Sequence, residues 1–237
     1  CIRDRVEGVA KDLLIRPFNS AGVIPNLREF TMGASEQHFG IQAEERFGLD
    51  GDGDGVAREL TEGDVTAAAL FQASLPIPIE VLPKNRARRA AARAGKALFS
   101  EIGCSSCHIP EMTVNDPVFR EQGPNAARAV EMDLTTDTFF PRLRRAADGS
   151  ATLNIYSDLK RHDMGSALAE PLLQVDRASV QHFLTLPLWG VASTGPWMHD
   201  GRATSLTEAI LLHGGEAAAE REVMEESGIR IKNVQYI

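Results

Sequence analysis

Apolar side chains recur at helical spacing in four separate stretches of the chain. After Asn26, with Glu29 three residues on as in a capping box, Leu27, Phe30, Ala34 and His38 return every three or four positions. That pattern predicts a helix with His38 packed at its end. Thr61 and Asp64 open a second helix carrying Val65, Ala68, Ala69 and Phe71, which stops at Ser74-Leu75-Pro76. An alanine-rich run bearing Lys84, Arg86, Arg88, Arg89, Arg93 and Lys96 leads into a third, where Leu98, Phe99 and Ile102 share one apolar side and Gly103 closes the last turn. Ser205 and Glu208 form a capping box for the fourth, which sets Leu206, Ala209, Ile210 and His213 on one face before Gly214-Gly215.

Between the helices the signals are of other kinds. Residues 1–25 read as loosely helical, running into turns at Pro17, Gly22 and Pro25. Three prolines between Leu75 and Pro83 (Pro76, Pro78 and Pro83) forbid a helix and predict an extended linker. Residues 109–140 carry little pattern and read as a loop. Asp148-Gly149, flanked by Leu143 and Leu153-Asn154-Ile155-Tyr156, predicts a small hairpin.

A chain of 237 residues with 43% apolar side chains has room for one large domain or two small ones with a packed core. The net charge of −8 argues against nucleic acid as a partner, because no net-positive surface would neutralise phosphates. No stretch is apolar enough to span a bilayer, and no signal peptide is apparent. Two of the three cysteines lie in one short motif, so disulfides do not hold the fold. Cys1 stands alone; a lipid-bearing N-terminus would want a flexible polar tether, and Ile2-Arg3-Asp4-Arg5-Val6 is not one, so the chain is expected to begin inside a longer protein.

That short motif is Cys104-Ser105-Ser106-Cys107-His108. Covalent attachment of haem c needs this arrangement: the two thiols add to the porphyrin vinyl groups, and the adjacent imidazole binds the iron. A redox dithiol would want a strand before the first cysteine and a helix starting at it, whereas here a helix precedes and Ile109-Pro110 follows. A structural zinc site would need a second Cys-x-x-Cys or a close histidine pair, and neither is present. One covalent haem c is therefore expected, with Leu98, Phe99, Trp189 and Trp197 shielding it. Haem is attached to such motifs outside the cytoplasmic membrane, which points to the periplasm. The fold expected is mainly α: a cytochrome c-like haem domain over 95–216 with the small hairpin insertion, an N-terminal helical region over 1–76, a linker and basic helix over 77–94, and an acidic tail over 217–237. The basic helix reads as a solvated face, or as a docking patch for an acidic redox partner.

Two further clusters bear on metals. In Asp50-Gly51-Asp52-Gly53-Asp54-Gly55-Val56, carboxylates at alternate positions and the Val56 carbonyl fall where calcium loops carry ligands. Thr61 occupies the twelfth position in place of glutamate, so Glu59 or Glu62 would have to complete the shell; calcium binding and a solvated acidic turn both remain open. His213, on an apolar helix face and followed by two glycines that allow close approach, is a candidate sixth ligand to iron.

The ordered set Arg16-Pro17-Phe18, Leu27-Arg28-Glu29-Phe30-Thr31, the aspartate loop, Phe71-Gln72-Ala73-Ser74-Leu75-Pro76, the haem motif, Asp158 to Gly165, Pro187-Leu188-Trp189-Gly190 and His199-Asp200-Gly201-Arg202 through Glu216 resembles the bacterial di-haem oxidoreductase family, thiol oxidoreductase-like relatives of the di-haem cytochrome c peroxidases and MauG. The resemblance implies a second haem domain that this chain, with one attachment motif, lacks. It implies the electron-transfer half of such an oxidoreductase, with a redox protein or that second haem domain as partner; a peroxidase-like enzyme assisted by His162, Asp163, His199 or Asp200 is the alternative, and a haem-free binding module the remote one. Laying Pro196 to Gly201 on the relatives' Pro-aromatic-x-His-x-Gly stretch brings His213 to the distal-ligand place. Met164 and Met198 compete for it, while Met112 is too near His108. The tail, Arg221 to Ile229, looks like the latter half of a Nudix box without its upstream half, and is expected to be an exposed acidic helix.

Overall fold

The computed structural model describes residues 8–124, 129–170 and 180–214. Cys1, the 217–237 tail with its Nudix-like stretch, and Gly215-Glu216 lie outside them. The expected mainly-α fold is overturned: helix covers 29% of the described residues and strand 15%, so irregular backbone predominates. Five helices, α1 (Leu27–Phe39), α2 (Glu44–Phe47), α3 (Glu62–Ala73), α4 (Arg86–Glu101) and α5 (Leu206–Leu211), stand with six strands, β1 (Glu111–Val114), β2 (Val118–Glu121), β3 (Val130–Asp133), β4 (Ala151–Asn154), β5 (Arg161–Asp163) and β6 (His182–Leu184). The strands pair two by two, β1 with β4, β2 with β3 and β5 with β6. Each is three or four residues long, too short for alternation to show in a sequence window. That is why 109–140 read as loop although it contains β1, β2 and β3. The Asp148-Gly149 turn forms, with Gly149 at φ 88, but its arms meet only at an Arg145–Ala151 bridge. No helix occurs between residues 8 and 25, and His38, expected to pack, is exposed. No described helix is long and apolar enough to cross a membrane.

The chain divides into two compact units: residues 1–23, 79–112 and 154–237 in one, and 24–78 and 113–153 in the other. Helix starts follow local chemistry. Asn26 accepts from the Glu29 amide, and Thr61 and Ser205 close full capping boxes with Asp64 and Glu208.

The second unit is tied together by Arg28. Its guanidinium meets Glu45 of α2 at 2.6 and 2.7 Å, Glu121 of β2 at 2.6 Å and the Thr66 hydroxyl of α3 at 2.8 Å. All three charged side chains are at least nine-tenths buried. Removing one partner from a buried charge cluster leaves the others without compensation, at a cost of about 3–5 kcal/mol. Arg28→Met is expected to destabilise this unit by about that amount, read as a lowered midpoint in urea denaturation; a midpoint unchanged from wild type would show that the cluster contributes nothing.

Candidate functional site

The Cys104–His108 motif follows α4 without a break. Ile102 caps the helix, Gly103 turns the chain at φ 81, and Cys104–Ser106 make one 3-10 turn. The left-handed conformation at 103 is one that glycine adopts without a Cβ penalty. The His108 amide then donates to the Cys104 carbonyl at 3.0 Å. Cys104 and Cys107 are half-buried, and neither is in a disulfide.

His108 Nδ1 lies 2.9 Å from the Tyr156 carbonyl. Donation to that oxygen fixes the tautomer and leaves Nε2 with the lone pair, the arrangement found behind metal-bound histidines. Tyr156 is at φ 52, and its ring meets Phe99 edge-on at 5.8 Å while the Lys96 ammonium lies 5.8 Å above it. Lys96 in turn pairs with Glu80 at 2.8 Å. Burial pushes the His108 imidazole below its usual range, the Tyr156 carbonyl opposes the shift, and His213 adds to it. The neutral ring is the one that ligates a metal.

His213 sits just past α5, and its Nδ1 is 2.7 Å from the Ala209 carbonyl, so its Nε2 is left over in the same way. The two imidazole centroids are 6.4 Å apart with ring planes at 59°. Two imidazoles that shared one metal ion, with metal–nitrogen bonds of about 2.0 Å, would have ring centres at most about 6 Å apart. The observed centroid spacing is of that size. Gly214 lets the chain after His213 lie against Met164: a Cβ there would lie 2.8 Å from the Met164 carbonyl oxygen. Met164 follows β5 and donates its amide to Gln181 at 2.9 Å. Met198 stands in a turn at φ 72, and Met112 lies in β1.

The aromatic residues expected to shield the cofactor are tethered by their indoles. Trp189 donates to the Asn154 carbonyl at 2.7 Å and Trp197 to that of Val191 at 2.8 Å. His199 stacks on Phe183 at 4.0 Å, and its buried Nε2 has no hydrogen-bond partner among the described residues. A buried orphan nitrogen in the unit that carries the attachment motif suits a site completed by a polar group such as a haem carboxylate.

His162 Nε2 pairs with the buried Asp158 carboxylate at 2.8 Å. Burial alone would raise that carboxyl, yet hydrogen bonds from His162 and the Lys160 amide hold it below the usual range. A depressed carboxyl stabilises the fold above its unfolded pKa, near about 3.9, and the contribution disappears as pH falls through the folded value. Asp158→Asn is therefore expected to flatten the acid-induced loss of stability, measured as the denaturation midpoint between pH 5 and pH 3; the same slope in both proteins would refute it. Asp163 faces Gln181 at 2.8 Å, and Asp200 pairs with Arg202 at 2.5 Å.

In the other unit, Asp50, Asp52 and Asp54 bring one carboxylate oxygen each within 4.8 Å of one another. Asp54 and Asp50 also accept from the Val56 and Gly55 amides, folding the loop with Gly53 and Gly55 at positive φ. Glu59 is not in this group; its carboxylate accepts the Gln42 amide at 2.8 Å. Glu62 lies in the first turn of α3, beside Gly123.

Sequence reasoning missed Tyr156 as the acceptor behind His108 and the Arg28 cluster. A main-chain acceptor leaves no mark in side-chain pattern; Arg28 stood in a quoted motif, but its partners lie 17 to 93 residues away.

A family model described as "di-haem oxidoreductase, putative peroxidase" matches residues 56–234. No curated protein and no solved structure gives a significant match.

Proposed function

Because this chain belongs to the di-haem oxidoreductase family, we propose that it is a c-type haem protein that passes single electrons, with His108 and His213 as the residues that would hold the iron of one covalently held haem. When bound, the haem supplies an iron that cycles between two oxidation states. Cys104 and Cys107 tether it, and the Tyr156 and Ala209 carbonyls orient the two imidazoles through Nδ1. Leu98, Phe99, Trp189 and Trp197 keep water from it. The observation that carries the reading is the 6.4 Å spacing of two histidines whose Nδ1 atoms are both committed to carbonyl oxygens. It favours His213 over Met164 as distal ligand.

The test is the visible and near-infrared spectrum of holoprotein made with a working attachment pathway. A low-spin bis-histidine spectrum, unaltered by cyanide, is expected. A methionine-to-iron charge-transfer band would move the assignment to Met164. A high-spin iron that reacts with peroxide would favour the peroxidase-like reading, in which a second haem domain completes the enzyme. The partner is a redox protein or such a haem domain. The periplasm is the compartment proposed, since covalent attachment to this motif takes place outside the cytoplasmic membrane.

The convergence of Asp50, Asp52 and Asp54 supports calcium at the second unit's loop. Titration calorimetry is expected to show one calcium site, lost in Asp52→Asn; wild-type protein that takes up no calcium at millimolar concentration would leave a solvated turn.

A further inference from the structure

Six of the chain's 25 basic residues fall between Lys84 and Lys96, where no acidic residue occurs, in a chain with 33 acidic residues. Arg86, Arg89, Arg93 and Lys96 follow one another on α4 at intervals of three or four, so they share one face of the helix. No residue of α4 is buried, and its first turn holds three arginines and no acid. Cations there oppose the helix macrodipole, so this charge is not placed for stability. Arg89 turns to the Pro83 and Lys84 carbonyls and Lys96 to Glu80, while Arg86, Arg88 and Arg93 meet no carboxylate among the described residues. The same helix reaches the haem site at its other end: Phe99 lies 6.4 Å from the His108 ring, and Lys96 sits over Tyr156, whose carbonyl holds His108.

From this placement we infer that the basic face of α4 is the docking surface for an acidic redox protein. One electron passes between them, the partner being oxidised as the haem iron goes from ferric to ferrous. The inference rests on the electron-transfer reading above. A concentrated positive face on a chain of net charge −8 steers a negative partner to this one place and away from the rest of the surface.

The reverse transfer uses the same surface, so small oxidants of opposite charge can sample it. Ferrous holoprotein is mixed in stopped flow with ferricyanide, a trianion, and with tris(phenanthroline)cobalt(III), a trication. In Arg86→Glu/Arg93→Glu, oxidation by ferricyanide is expected to slow by about tenfold and oxidation by the cobalt complex to quicken, both effects fading as salt shortens the screening length to about 3 Å at 1 M. The new glutamates suit the helix: one enters its first turn, and the other stands near Arg89 and Lys96. Rates that change by less than about twofold would overturn the assignment. So would wild-type binding to phosphatidylglycerol vesicles that the variant loses while its rates stay unchanged, which would give the stripe to a lipid surface. A wild-type haem band that neither oxidant alters would instead sink the electron-transfer reading itself.

Discussion

Serine at both Cys104 and Cys107 is expected to abolish covalent haem altogether: no haem-linked peroxidase stain on a denaturing gel, and an intact mass equal to the bare polypeptide. The thiolate, and not the hydroxyl, is the nucleophile that adds to a vinyl group, so the replacement removes the chemistry while nearly preserving the shape. The fold should tolerate it. Neither cysteine is fully buried, and the turn that carries them is set by the Gly103 conformation and by the His108 amide on the Cys104 carbonyl, which serine keeps. Far-ultraviolet circular dichroism on the two polypeptides, both prepared without haem, separates loss of attachment from loss of structure. A wild-type protein that stays at the bare mass in a strain with a working attachment pathway would end the haem account at once.

His213→Ala is expected to convert a low-spin spectrum entirely to high spin and to open the iron to cyanide, with binding absent in the wild type becoming readily measurable. The side chain is half-buried, and its one hydrogen bond among the described residues is to a carbonyl one turn back. Its removal should cost the fold little, so the optical change would report ligation. His213→Met tests the same seat from the other side: methionine ligation raises the iron potential relative to a second histidine. Conversion by Met164→Ala with no response from His213→Ala would hand the axial position to the thioether.

What could be read from the chain divides by the distance over which its determinants act. The caps at Asn26, Thr61 and Ser205 are each settled within four residues, so they were legible. The prolines from Leu75 to Pro83 likewise act on their own neighbours, and no regular element occupies residues 76–83. The expectation of a mainly-α protein failed because the amphipathic runs were conspicuous and the strands were not. Val118–Glu121 finds its partner in Val130–Asp133, nine or more positions away, and four residues of Val-Phe-Arg-Glu announce no period. In the site, the spacing of His108 and His213 depends on the path of the 104 residues between them. The sequence offered His213 through its helix face and its two glycines. It offered nothing for the role of the Tyr156 carbonyl or for Gly214 lying against Met164.

Both imidazoles lean on main-chain oxygens, those of Tyr156 and Ala209. Every amino acid brings that same atom, so genetic drift at 156 or 209 cannot delete either acceptor outright. Only a shift of the backbone can, which makes the protonation pattern of this histidine pair a property inherited through conformation more than through residue identity.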